Sequence, residues 1–366
     1  MHFNTAIATL SVSLSFSLAS PATTYYPSGG CPPISGDFNV SYFQLYPEGF
    51  DYDPVHCKAY FGSLFNSTVL RKDLSTGEEE VLTFPDISEN HTYHVSGVQY
   101  DRKTGAMYFS ANNGIAFSSN GADLTGPNRF IKYNTSTDRV VFITDMDSVV
   151  AQLNALTGYQ YNGFQDMAED LAGNAYYVTS LGPSIFKVTP DGTPSIFFYL
   201  PPKFINGTVQ SNWGGIFSVG NILVSLDNFN GKMFRLDTTA KDPFKDYTTY
   251  SLADSPVQVH CDRTYPPPMF DGKIVLCSND GNGTYVLYSN DLWQSAKYLG
   301  LAASPNYGGI PTASCQIANS LYTNTEYFLD GVTFDKVGNR TDFPFTDITQ
   351  KVLQLTRSVG IDINVD

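Results

Sequence analysis

Apolar and polar residues along this chain alternate in short runs, and Asp, Asn and Gly close each run. Stretches such as "KAYFGSLF", "AMYFSAN", "AYYVTSL" and "ILVSLD" are rich in aromatic and β-branched residues and bounded by turn formers, which predicts short β-strands. A helical period is visible only over Ser148–Leu156, and briefly. Residues 163–192, "GFQDMAEDLAGNAYYVTSLGPSIFKVTPDG", set out a unit. An acidic pair leads into a Gly-Asn turn, an aromatic strand, a Gly-Pro break, a further strand and an Asp-Gly turn.

The unit recurs. Further copies run through "EGFDYDPVHCKAYFGSLF", "SGVQYDRKTGAMYFSANNG", "GGIFSVGNILVSLDNFNGKMFRLD", "PPMFDGKIVLCSNDGNGTYVLYSND" and "PTASCQIANSLYTNTEYF". With the second strands aligned at Tyr60, Tyr108, Tyr177, Leu223, Val275 and Tyr322, the spacings are 48, 69, 46, 52 and 47 residues. The long interval holds an insertion near Thr144–Asn162. Such a period, built from short strands and Asp/Asn/Gly turns, predicts an all-β fold, a six-bladed β-propeller. Ring closure removes most free sheet edges. The last copy lacks clear third and fourth strands before "FDKVGNRTDFPFTDITQKVLQL", so an N-terminal strap is expected to complete the sixth blade.

Residues 1–20, "MHFNTAIATLSVSLSFSLAS", hold a short serine-rich apolar stretch that ends in small residues. That predicts a signal peptide rather than a membrane span, followed by a single propeller domain over 21–366. Seven Asn-X-Ser/Thr acceptors, at Asn39, Asn66, Asn90, Asn134, Asn206, Asn282 and Asn339, point the same way, to a secreted or vesicular glycoprotein. The five cysteines, Cys31, Cys57, Cys261, Cys277 and Cys315, have no CxxC or zinc-ligand spacing. Two disulfides and one free thiol are expected in an oxidising compartment, with Cys31 paired to Cys57. Thirty-five acidic against 21 basic residues give a net charge of −14, and no basic run exists to bind nucleic acid or an anionic membrane.

In a propeller the first strand of each blade lines the axial channel, so the residues opening each copy point inward. These are Glu48, Ser96, Gln165 with Asp166, Gly214 after Trp213, Pro267–Met269, and Thr312. Glu48, Gln165, Asp166 and Thr312 are the candidate catalytic polar groups. Phe50, Ser96, Tyr161, Phe164, Trp213 and Met269 are the candidate substrate-binding residues. The same aromatic side chains would equally serve as packing between blades, and the polar ones as lining of a wet channel. There is no G-x-S-x-G elbow, HExxH or phosphate loop. Of the histidines His56, His91, His94 and His260, the pair in "NHTYHVSG" reads as surface residues of a glycosylated loop.

The copy "EGFDYD" resembles the "EGP.W" opening of the senescence-marker-protein/gluconolactonase propellers, whose Glu binds a divalent metal together with an Asn from blade three and an Asp from blade four. This chain has Gln165 and Gly214 at the matching points, too few hard oxygens for such a cation, so no metal site is expected. Asp166 beside Gln165 is the one neighbouring carboxylate that would restore a ligand. "YHVSGVQYD", "GIAFSSNGADLTGPNRFIKYN" and above all "GYQYNGFQDMAEDLAGNAYYVTSLGPSIFKVTPDG" resemble the fungal trichothecene-biosynthesis cluster propellers, over roughly residues 40–240. The resemblance implies a cofactor-free cyclase of fungal terpenoid metabolism. Its most specific form is a hetero-Diels–Alderase joining an o-quinone methide to a humulene-type sesquiterpene. An intramolecular cyclase of a trichothecene-like terpenoid, a non-catalytic ligand-binding propeller and a metal-dependent lactonase are the alternatives.

Overall fold

A computed structural model of the chain describes residues 30–363, apart from 120, 206–207, 210–212, 254, 256–259, 280, 282, 306 and 332–336. The expected signal segment and the acceptors Asn206 and Asn282 lie outside the described residues. Six four-stranded antiparallel sheets form the blades of a β-propeller. Blade one holds Phe50–Asp53, Lys58–Ser63, Thr68–Asp73 and Glu79–Leu82; blade two holds Tyr93–Asp101, Ala106–Asn113, Arg129–Asn134 and Arg139–Asp145. Blade three runs through Asn162–Glu169, Ala175–Leu181, Ser184–Val188 and Pro194–Tyr199, and blade four through Trp213–Val219, Ile222–Asp227, Lys232–Asp237 and Thr248–Ser251. Blade five comprises Thr264–Tyr265, Ile274–Asn279, Gly283–Tyr288 and Lys297–Ala303. Blade six takes Ser314–Ile317, Ser320–Asn324 and Asp342–Asp347 from the C-terminal end and Phe38–Ser41 from the N-terminal strap. Chain closure is therefore the expected one, with Phe38 opposite Phe345 and Val40 opposite Phe343.

The turns follow from local chemistry. Asp73, Asp101 and Asp227 each accept a hydrogen bond from a backbone N–H two residues on, which folds the chain back before the next strand begins. Gly105 and Gly231 complete two of these turns at φ of 67° and 70°, where a Cβ would be strained. The insertion before blade three forms the helix Asp147–Thr157, capped by left-handed Gly158, whose buried Val149, Val150 and Leu153 join the core of blades two and three. Blade cores are aromatic, with Tyr60, Tyr108, Tyr177 and Tyr322 all fully buried on second strands. Disulfides join Cys31 to Cys57 and Cys261 to Cys277, and Cys315 is a buried free thiol.

Candidate functional site

Three successive inner strands break register at the same level. Blade two shifts between Val95 and Gly97, blade three between Phe164 and Met167, and blade four between Gly214 and Ile216. A bulge interrupts the alternation of a strand and re-aims side chains, so Gln165 and Asp166, though consecutive, both serve the axis. Asp166 is fully buried. It accepts from Arg263 Nε at 3.1 Å, from the backbone N–H of Ile216 at 3.0 Å and from that of Thr264 at 3.1 Å. Arg263 also donates to Val98 O at 3.0 Å, so one ion pair on the axis ties blades two, three, four and five.

Above this pair opens a cavity of about 350 Å³ to which all six blades contribute. Its apolar lining is Ala116, Phe117, Phe164, Leu181, Ile310 and Phe328; its polar lining includes Glu48, Asn112, Gln165, Asn228, His260 and Asp262. Gln165 donates through Nε2 to Asp262 Oδ1, which fixes the orientation of the amide. Asn112 is held by Ser96 Oγ at 2.7 Å and by the carbonyl of Phe164. The Phe164 ring is 1% exposed and rests 4.4 Å from Tyr177 and 5.2 Å from Phe186, so the wall behind the cavity is rigidly packed. Phe117 and Phe328 lie 5.3 Å apart.

The sequence-derived residues divide into those at the cavity and those elsewhere. Glu48, Gln165 and Phe164 line it. Thr312 is buried and donates from Oγ1 to the Glu48 carbonyl at 2.7 Å, and Ser96 supports Asn112; both sit behind the lining. Asp166 is committed to its four donors below. Trp213 stacks on Phe198 between blades three and four, 5.8 Å between centroids, and borders a separate lateral groove. Phe50 packs on Phe61 and Phe345, and Tyr161 donates to Leu200 O at 3.0 Å; both are core residues away from the cavity. Met269 lies in the single turn Pro268–Phe270 after the inner strand of blade five, where its N–H donates to Gln316 Oε1. Blade five enters the cavity instead through His260 and Asp262. Its inner strand is only two residues long, and the "PPP" after it resembles a blade opening. The pattern that would have placed it is "HCDR", a disulfide cysteine followed by two consecutive residues of opposite charge.

Of the histidine pair, His91 is exposed as expected, whereas His94 is buried, with its pKa lowered to about 4 by burial and then by the charge of His91. At Gly214 a Cβ would stand 1.9 Å from Cys261 O and 2.3 Å from Asn228 Nδ2. The backbone of blade five therefore occupies the place where a blade-four carboxylate would project. Among the described residues no three His, Cys, Asp or Glu converge as a metal site.

The chain is 26% identical over 343 residues to trichothecene biosynthesis protein 14 of Trichoderma arundinaceum, covering 88% of this chain and 90% of that protein. It is 25% identical over 357 residues to core trichothecene cluster protein 14 of Fusarium sporotrichioides, covering 88% of each. The likeness to the trichothecene-cluster propellers is shown. It extends well beyond the first four blades, to which the motifs had confined it. No family model matches the chain. Among solved structures, the Malassezia sympodialis allergen Mala s 1 superposes with a TM-score of 0.73 at 18% identity, over 86% of this chain and 96% of its own, which shows the shared fold. Both relatives are named for trichothecene biosynthesis or its core cluster, and the two disulfides of this chain accord with an oxidising, secretory compartment. No helix among the described residues is long and apolar enough to cross a membrane.

Proposed function

We propose that the protein is a secreted or vesicular, cofactor-independent cyclase of fungal terpenoid metabolism, and that ring closure takes place in the axial cavity. The observation that carries this reading is the cavity's composition: an aromatic wall of Phe117, Phe164 and Phe328 together with Gln165, Asp262, His260 and Glu48. Its most specific form is a hetero-Diels–Alder addition of a humulene-type alkene to the C=C–C=O unit of an o-quinone methide. That reaction closes a dihydropyran ring with every atom retained, so it consumes no oxidant or reductant.

The phenylalanines would hold the apolar partners at reactive distance, an orientation effect of several kcal/mol. Gln165, clamped by Asp262 through one N–H, keeps its second N–H for the heterodiene oxygen as charge grows there, about 1–3 kcal/mol of barrier. Glu48, Asp262 and His260 would move the proton that accompanies loss of water when the quinone methide forms. A second reading, ring closure within one oxygenated trichothecene-like terpenoid, is favoured by the relatives' names and by the cavity's size. About 350 Å³ lies near the low end of the roughly 300–1,000 Å³ typical of small-molecule sites.

The test offers the protein a tropolone-type quinone-methide precursor with a hydroxylated humulene and, in parallel, an oxygenated trichothecene-like precursor, with products resolved by chiral chromatography. One stereoisomer in excess over the buffer reaction, unchanged by EDTA, is expected. Gln165→Ala should erode that excess with little change in melting temperature, whereas Trp213→Ala should lower the melting temperature and leave the selectivity of the folded fraction intact. Adduct mixtures identical with and without protein for both substrates would reject catalysis and leave a ligand-binding propeller. Loss of selectivity on adding EDTA would return the lactonase-like metal reading.

A further inference from the structure

Each blade presents its fourth strand as an outer edge, and unpaired backbone groups on such an edge invite another strand. Three of the six outer strands limit this by being short: Phe38–Ser41, Glu79–Leu82 and Thr248–Ser251 have four residues each. Two longer ones are covered. Pro194–Tyr199 lies against the helix Pro243–Asp246, whose Phe244 ring stands 5.1 Å from that of Phe198 and 5.0 Å from that of Tyr199. Lys297–Ala303 lies against the helix Thr349–Thr356, where Lys351 donates to the Ala303 carbonyl and Leu355 sits so close to Gly300 that a Cβ there would stand 2.6 Å from it. Blade two is the exception. Its outer strand, Arg139–Asp145, is seven residues long, and Val140, Val141 and Ile143 are 38, 51 and 36% exposed. Pairing with the third strand skips Val141, so two consecutive valines stand in solvent. The strand is charged only at its ends, and with opposite sign. Arg139 is exposed, and the Asp145 side chain is 60% exposed although Arg129 reaches it at 3.0 Å.

We infer that a second copy of this chain covers the strand, edge to edge and antiparallel about a two-fold axis at Phe142. That pairing brings Arg139 of each copy beside Asp145 of the other, and Val141 beside Ile143. A parallel pairing would set Arg139 on Arg139 and Asp145 on Asp145. The strand's own charges thus select the antiparallel orientation, which is self-complementary and closes into a dimer with no edge left over. One strand a side falls short of the roughly 800 Å² per partner of a standard interface, so the dimer is weak, with a dissociation constant of roughly 10–100 µM. The contact lies on the outer rim of the ring, shares no residue with the axial cavity and does not rest on the cyclisation reading.

The test is sedimentation velocity of the secreted protein from about 1 to 300 µM, a range that brackets the expected constant. The protein keeps whatever sugars it carries, because the acceptor Asn134 lies opposite Arg139 on the neighbouring strand. A shift from monomer to dimer with concentration is expected. Arg139→Asp and Asp145→Arg should each weaken association about tenfold, since like charges then face each other at both ends of the pair. Mixed in equal amounts, the two variants carry complementary strands, and their heterodimer should regain the affinity of the unaltered protein. Val141→Lys, beside the two-fold axis, should leave monomer only. All three positions are exposed, so melting temperatures should not change. Monomer at every concentration, a dimer indifferent to these substitutions, or a mixture no tighter than either variant alone would each overturn the inference.

Discussion

Glu326 has no exposed surface, and neither of its carboxyl oxygens has a hydrogen-bond partner. Burial first, and then the charge of Glu48, push its pKa well above the ordinary glutamate value, so the folded protein holds this proton to higher pH than the unfolded chain does. The unfolded chain releases that proton near pH 4.5. From there upward the folded state binds more protons than the unfolded one, and stability falls as pH rises toward the folded pKa. Glu326→Gln keeps the shape and removes the titration. It should raise the melting temperature clearly at pH 8 and little at pH 4; equal shifts at both would show that the side chain is ionised in the fold. Glu169, raised by burial and by Asp101, leaves part of the alkaline slope in place. No sequence pattern separates Glu326 from an exposed glutamate, because its state is set by neighbours distant along the chain.

At the scale of elements, ring closure rests on Phe38–Ser41 in blade six, and the Cys31–Cys57 bridge anchors the strap leading into it beside the first strands of blade one. The bridge spans 26 residues, for which loop-closure entropy gives about 3.5 kcal/mol of stabilisation. The Cys31→Ala/Cys57→Ala double variant should move the denaturation midpoint down accordingly. A midpoint that does not move would mean that strand pairing alone holds the ring shut. The second strands were legible in the sequence because they are buried, rich in aromatic and β-branched residues and bounded by Asp, Asn and Gly turns; every one of the six aligned positions lies on a second strand. Blade five's inner strand was not, because two residues carry no periodicity and the adjacent prolines mimic an opening. Met269 was drawn to the axis by that slip, and Asp262 was missed by it. The bulges were equally invisible, since an extra residue in a strand leaves the apolar pattern almost unchanged.

For the whole molecule, repeat geometry brings six separate segments to one cavity, and long-range pairing decides what each contributes. Glu48 and Gln165 were readable as inward-facing from the repeat alone, and Phe164 only as one of several candidate wall aromatics. Trp213, Phe50 and Tyr161 were not distinguishable from cavity walls, because an aromatic residue at a blade opening packs against the next blade as readily as it faces the axis. Phe117 and Ile310 come from connections outside the repeat copies, and Phe328 ends the last copy beyond its second strand, where no alignment of blades predicts a cavity residue. The central claim is that ring closure takes place in this axial cavity. The most direct measurement is a crystal structure of the protein with the cyclised product of its selective reaction. Product density against Phe164 and within hydrogen-bond distance of Gln165, above the Asp166–Arg263 pair, is the result expected. Density in the lateral groove beside Trp213, or an axial cavity holding only water at saturating product, would contradict it.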